Sequence, residues 1–356
     1  MDIKIEKFCD IDVKESFFNS LRESYENFDG WFKKKSVTDQ EAYVYRNPEN
    51  GLILDFLYLK SETEALDKDF EPSLPVKKRL KIGTFKVTSR GTRSGEYFLK
   101  RALDQAIAEN VEECYVTIFP TDELKVLISR FEAFGFNCVA KKKHKDGRIE
   151  NVYVRNMRLV ENDVLKQYPF VHSSGNKKWL LSIYPDYHTK LFPDSILKNE
   201  DPYDVLQDVS ETNSIHKVYV CCMQDVWNMK RGDPIVIYRT KDDKGSAAYR
   251  SVATSICVVE EIKTSFDFSN FEDFFKYANT YSVFDKKQLQ SWYNQGRRMT
   301  AVKMTYNVAF KKKVINKALK EDVGMNPDYW GFCPVTDEQF KHILQLGATD
   351  ERYFIN

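Results

Sequence analysis

The sequence predicts two domains, an α/β (α+β) domain followed by a mainly β barrel with peripheral helices. Three observations predict this. The chain has 356 residues, more than one core usually organises. Residues 80–154 run strand, helix, strand, helix, strand, whereas beyond residue 178 the pattern turns to short β runs. Between them, 161–178 carries Pro169, Ser173, Ser174, Gly175 and Asn176, the composition of a linker. The expected spans are therefore 1–160, a linker over 161–178, and 179–356.

Composition narrows the function classes. Hydrophobic residues make up 42% and charged residues 30%, and 25 Phe and 20 Tyr argue against disorder. With 54 basic against 53 acidic residues, no whole-chain field favours nucleic acid, so only local patches could. The seven cysteines (9, 114, 138, 221, 222, 257 and 333) match neither a zinc site nor a disulfide framework. The vicinal Cys221-Cys222 is expected to pack in a strand. The histidines at 144, 172, 188, 216 and 342 are dispersed, so no metal site is expected. The first residues lack an apolar signal core and no stretch reaches the length of a membrane span, which points to the cytoplasm and no membrane partner.

In the first domain a short strand from Phe8 precedes an amphipathic helix with Phe17, Phe18, Leu21 and Tyr25 on one face. Phe28 to Phe32 is expected to break that helix, with Lys33 to Lys35 as a solvated face. Ala42–Tyr45 and Leu52–Leu59 flank Asn47-Pro48-Glu49-Asn50-Gly51, which predicts a hairpin. Acidic residues with Pro72 and Pro75 make 61–76 a surface loop. Leu80–Val87 is a strand, Arg90–Gly95 a tight turn and Glu96–Glu109 a helix burying Phe98, Leu99, Ala102, Leu103 and Ala106. Glu113–Phe119 is a strand and Leu124–Phe134 a helix ended by Gly135. Phe136–Ala140 and Val152–Val154 are strands around a basic hairpin tip.

The turn carries the chemistry. Gly91 and Gly95 permit a close backbone approach, Arg90 and Arg93 bring positive charge, and Ser94 offers a hydroxyl at a helix N-terminus. Those parts suit a pyrophosphate. Arg90-Gly91-Thr92-Arg93-Ser94-Gly95 resembles the pyrophosphate loop of the GNAT N-acetyltransferases, Gln/Arg-x-x-Gly-x-Gly/Ala, with Arg93 in place of the middle glycine. About thirty residues on, Leu127 to Phe136 is similar to that family's "LYEKLGF" helix end. The resemblance covers about 160 residues. It implies acetyl-CoA as cosubstrate, with pantetheine pairing to the strand end Phe85-Lys86-Val87. Pyrophosphate would sit on Arg90, Gly91, Thr92, Arg93, Ser94, Gly95 and Glu96, and Thr117 would offer a further contact. The tyrosine that many members use as general acid falls at Phe131, which has no proton to give. An acceptor amine must be neutral at attack, so a base is needed. The candidates are Asp55, Glu113 and Tyr115, while Phe28, Trp31 and Phe32 lie where the family shapes its acceptor pocket.

In the second domain the β runs are Trp179–Tyr184, Lys217–Cys222, Pro234–Arg239, Ala247–Glu260 and Met299–Phe310. Phe271–Tyr277 and Lys286–Tyr293 are helical, and Lys311 to Lys313 is expected at an exposed helix start. Lys230-Arg231-Gly232-Asp233 feeding the apolar strand that ends Tyr238-Arg239 resembles the PUA-like superfamily, in particular ASCH- and EVE-type domains. The ASCH signature Gly-x-Lys-x-x-Glu-x-Arg is not visible. The resemblance implies a small barrel that binds RNA or a modified base through stacking rings and cations. The ligand candidates are Trp179, Tyr184, Tyr238, Arg239, Arg297 and Arg298, with Trp227 and Trp292 as further rings.

Together these features predict an acetyl-CoA-dependent N-acetyltransferase whose second domain selects an RNA-associated or translation-associated acceptor. The alternative is a non-catalytic protein that keeps an acyl-CoA fold, either an antitoxin-like regulator with a protein partner or an RNA-binding protein.

Overall fold

The computed structural model describes residues 3–192 and 214–356 and divides into two compact units, Met1–Leu159 and Val160–Asn356. The expected spans 1–160 and 179–356 include residues 1–2 and 193–213, which lie outside the described residues.

In the first unit the strands are β1 (Ile3–Lys7), β2 (Glu41–Arg46), β3 (Ile53–Glu62), β4 (Phe70–Glu71), β5 (Arg79–Val87), β6 (Glu113–Ile118), β7 (Asn137–Lys143) and β8 (Ile149–Asn156), and the central β3, β6 and β8 carry runs of buried residues. They form one sheet in the order β1-β2-β3-β5-β6-β8-β7-β4. Its one parallel pair is β5 with β6, which requires a crossover. Helix α3 supplies it, the third of α1 (Asn19–Ser24), α2 (Phe28–Val37), α3 (Ser94–Ala108) and α4 (Lys125–Ala133). Its inward stripe buries Phe98, Leu99, Ala102, Leu103 and Ala106, as the periodicity predicts.

Two local expectations fail here. Phe28 to Phe32 opens α2 rather than breaking the helix: Asn27 turns the chain at φ 59, and Phe28 and Phe32 sit one helical turn apart in the aromatic core. Residues 61–76 are not all loop, because β4 pairs with β7 and Leu66 bridges Leu74.

The second unit is a six-stranded sheet made of β10 (Lys178–Ile183), β11 (His216–Cys221), β12 (Pro234–Arg239), β13 (Val252–Thr264), β14 (Thr300–Ile315) and β15 (Phe332–Val335). Its order is β11-β14-β13-β12-β10-β15, with β11 and β15 at the edges rather than paired to close a barrel among the described residues. The long β13 and β14 bend through three register shifts. One face packs Phe271, Phe274 and Leu289 from helices over Phe271–Ala278 and Lys286–Asn294, and the other packs Phe340 and Ile343 from Asp337–Leu346.

Residues 161–178 are not a free linker. Asp163 caps the short helix Val164–Gln167, and the buried Tyr168 donates to the Tyr306 carbonyl at 3.1 Å. β9 (Val171–His172) pairs with β16 (Phe354–Ile355). Lys311 to Lys313 lie within β14, not at a helix start, since the strand runs on to Ile315. The seven cysteines are free thiols, and Cys221 is core, where burial pushes its thiol up to about 12.

Candidate functional site

The site begins where two strands part. β5 pairs with β3 along its whole length, from Arg79 to Val87, but with β6 only from Arg79 to Ile82. The fork has a local cause. Opposite Tyr58 and Leu59, β5 carries one extra residue, Gly83, so the strand is bulged at the point where its pairing to β6 stops. The geometry demands glycine there, because a Cβ at Gly83 would stand 2.8 Å from Cδ1 of Tyr58. Beyond the bulge, residues 83–87 run toward the turn without a β6 partner. This segment contains Phe85, Lys86 and Val87, all expected from the sequence.

The turn itself is held in a left-handed conformation. Gly91 has φ 74, and Arg93, the N-cap of α3, has φ 54 and ψ 20. Arg93 thus takes the backbone geometry a glycine would, at a cost of about 1 kcal/mol for a residue with a Cβ. Asp55 on β3 is fully buried beneath it. Its carboxylate accepts from Thr88 N at 2.9 Å, Ser89 N at 3.0 Å and Ser89 Oγ at 2.6 Å. Ser89, Thr92 and Ser94 then link their hydroxyls, with Ser89 Oγ 2.5 Å from Thr92 Oγ1 and 3.1 Å from Ser94 Oγ. Glu96 is buried 3.9 Å from Arg130, and Arg90 is exposed. Arg90 to Glu96 therefore form one structure, and Asp55 anchors it.

That placement bears on the candidate bases. Asp55 spends its oxygens on the turn. Glu113 stands at the closed end of the β5–β6 pair, opposite Arg79, whose Nε donates to it at 2.7 Å, and it also meets Lys77. Tyr115 is fully buried and donates to Glu62, with burial the first cause pushing its hydroxyl above its ordinary range. None of the three has its polar atoms turned to the open fork. Phe131 is core, 5.5 Å from Phe85 and 5.0 Å from Phe136 between ring centroids. Phe28 and Phe32 are core as well, and Trp31 packs against it.

A second cluster, absent from the sequence reading, stands beside the fork. Thr117 is the first β6 residue past the last β5 pair, and it pairs with Val152 of β8, two residues from Glu150 and so on the same face as it. Glu150 is fully buried. Its Oε1 accepts from the Tyr25 hydroxyl at 2.8 Å, while Oε2 lies 2.9 Å from His144 Nε2 and 3.3 Å from Lys142 Nζ. Burial works to raise the Glu150 pKa, but the Lys142 charge and the bonds from Tyr25 and His144 outweigh it and hold the group below the usual carboxylate range. Tyr25, Phe119 and His144 pack around it as tilted rings, with centroids 5.4 Å apart for Tyr25 and Phe119 and 5.3 Å for Phe119 and His144. The sequence shows His144 and Glu150 only as parts of a charged hairpin tip, and Tyr25 lies 125 positions from Glu150.

In the second unit a cleft of about 1230 Å³ gathers Tyr184, Tyr238 and Arg297 of the expected ligand residues. Tyr187, Tyr219, Trp292, Tyr329 and Trp330 join them. The other three lie elsewhere. Trp179 stacks on Phe332 at 4.8 Å and donates to Asp233 at 2.9 Å. Arg239 is buried, and Arg298 sits between Trp227 and Phe266, at 4.8 and 5.0 Å. Trp227 is accordingly a partner of Arg298 and does not line the cleft. No cluster of three or more His, Cys, Asp or Glu suited to a metal occurs among the described residues, and no helix there is long and apolar enough to cross a membrane.

No protein-family model matches the chain, and no curated protein matches it in sequence. Solved structures similar to it include both ASCH proteins and GNAT acetyltransferases, each over about half of the chain. An ASCH protein of Zymomonas mobilis is 11% identical over 49% of this chain and 96% of its own, with a TM-score of 0.35. Naa20 of Chaetomium thermophilum, in complex with a bisubstrate analogue, is 14% identical over 44% of this chain and 86% of its own, with a TM-score of 0.34. A GNAT family acetyltransferase of Elizabethkingia anophelis with acetyl-CoA bound is 12% identical over 43% of this chain and 97% of its own, with a TM-score of 0.29.

Proposed function

We propose that the first unit is an acetyl-CoA-dependent N-acetyltransferase acting on an amine. The observation that carries this reading is the fork, opened by the Gly83 bulge and running into the left-handed turn at the start of α3. Residues 83–87 offer an extended backbone edge for the amide-bearing pantetheine arm, as a neighbouring strand would. The turn offers backbone N–H groups, a helix N-terminus and two arginines to a pyrophosphate, so both ends of the CoA molecule have a complementary partner. Asp55 holds the turn in place without contacting the ligand.

Titration calorimetry of the full chain with acetyl-CoA tests this. Micromolar binding is expected, and Gly91→Glu plus Gly95→Glu should abolish it, since two carboxylates would meet the pyrophosphate. A folded wild-type protein that does not bind acetyl-CoA removes the enzyme reading and favours the non-catalytic alternative, with which Phe131 agrees.

We further propose, from the aromatic cleft, that the second unit is PUA-like and binds an RNA-associated acceptor or RNA itself. Tyr184 is 65% exposed on that cleft, and Lys241, Arg297 and Lys320 flank it, which suits a base stacked beside phosphate. Tyr184→Ala in the full chain should weaken a salt-dependent RNA affinity by about tenfold, one stacking contact. An unchanged affinity removes this assignment of the cleft.

A further inference from the structure

The acyltransferase reading leaves the attacking amine without a proton acceptor, and the Glu150 cluster lies past the point where β5 and β6 stop pairing. This inference rests on that reading. Thr117 is the first β6 residue beyond the fork, and it shares a sheet face with Glu150, two residues along β8 from its partner Val152. A buried, ionised carboxylate 2.9 Å from Nε2 favours the tautomer in which Nε2 carries the hydrogen, leaving the Nδ1 lone pair basic. Nδ1 has no partner among the described residues, and the ring is one-fifth exposed, whereas Glu150 is sealed. Tyr25 and Phe119 pack against the His144 ring, and the Arg148 guanidinium covers Phe119 at 5.2 Å.

We propose that His144 is the catalytic base for a primary amine acceptor, with Glu150 as the residue that positions it. The acceptor's ammonium first gives one proton to solvent; as the neutral amine nitrogen bonds to the thioester carbonyl carbon, its next proton passes to His144 Nδ1. The carbon–sulfur bond breaks and CoA leaves as the thiolate. Glu150 stabilises the imidazolium, which returns its proton to solvent, and the thiolate takes one from solvent. The products are an amide and free CoA thiol, so atoms and charge balance. Phe131 agrees with a thiolate protonated by water.

The charged and titratable groups facing the pair are Lys142 of β7, Tyr25 between α1 and α2, Asp146 and Arg148 of the hairpin, and Lys81 of β5.

The test uses the full chain, acetyl-CoA, and a synthetic mixture of lysine-containing peptides with free N-termini, read by thiol release. His144→Asn should lower turnover at neutral pH by about 10²–10⁴-fold, abolish the acid limb of the pH profile and leave acetyl-CoA affinity unchanged. Glu150→Gln should lower turnover, and Glu150→Asp should restore part of it. Independently of any acceptor, nitrogen NMR at pH 8 should show His144 protonated on Nε2. Nδ1 protonation overturns the proposal, as does an unchanged pH profile in His144→Asn. Binding of acetyl-CoA without acylation of any peptide also overturns it, because the amine acceptor is part of the inference. Loss of acetyl-CoA binding in the wild type would instead remove the acyltransferase reading beneath it.

Discussion

Each unit carries a glutamate paired to a histidine, and the two pairs differ in what surrounds them. In the second unit His216 Nδ1 lies 2.6 Å from Glu260 Oε2, and Lys303 donates to the other oxygen at 2.6 Å. All three belong to β11, β13 and β14, where Glu260 is an extra residue in a ladder that resumes on both sides of it, and His216 and Glu260 are both buried. In the first unit Glu150 is as deeply buried, but its histidine is partly exposed beside strands that have parted. A carboxylate–histidine pair in a sheet whose strands pair again on both sides of it is cohesion. The same pair at a break in a sheet has room for a substrate. Residue identity does not separate them, whereas the path of the backbone does.

The sharpest way to break this comparison is Glu260→Ala. It leaves His216 and Lys303 facing each other without their anion and should cost about 3–5 kcal/mol in the second unit, read from urea unfolding. Acetyl-CoA binding by the remaining folded protein should not change. If it falls, the two pairs are not independent.

His188 sharpens the contrast by lacking a carboxylate altogether. It is fully buried with Thr254 2.8 Å from Nε2, and burial, then the charges of Arg239 and Lys313, lower its pKa to about 3. The unfolded chain therefore takes up a proton near pH 6.5 that the folded chain refuses until about pH 3. Stability should fall through that window as pH drops, by at most about 1.4 kcal/mol per pH unit. His188→Gln should flatten this part of the profile in an acid-titration series.

Gly83→Ala tests the opening. Its new Cβ would press on the buried Tyr58 ring, so a cost of about 1–3 kcal/mol is expected, together with weaker acetyl-CoA binding as the bulge shifts. Retained affinity would separate the fork from the ligand. Arg93→Gly has the smallest expected effect. It removes left-handed strain while loosening the unfolded chain, so thermal unfolding should change by no more than about 1 kcal/mol.

Much of the first unit was legible in the sequence because its signals are local. The Asn47 to Gly51 hairpin, the α3 stripe and the Arg90–Gly95 turn each declare themselves within a few residues. The Glu150 cluster was not legible, since Tyr25, Thr117 and His144 converge only after the sheet is ordered. Asp55 looked like a base because an isolated carboxylate near a cleft invites that reading, yet its hydrogen bonds fix it to the turn. In the second unit the strands were legible and the cleft only partly so. Tyr184 and Tyr238 are on it, whereas Arg239, one residue along the same strand, is buried elsewhere because successive side chains alternate.

The one-sided pairing of β5 also gives this protein an internal clock for solvent. Along an extended strand successive amides point to opposite neighbours, so between Gly83 and Val87 those turned toward β3 are locked into a ladder while those turned toward the fork are not. In heavy water the two sets should take up deuterium at very different rates, slow and fast alternating residue by residue. A molecule that docks as an extra strand would slow only the fast set. Occupancy of the fork could then be followed amide by amide, in the unlabelled protein and without knowing the acceptor.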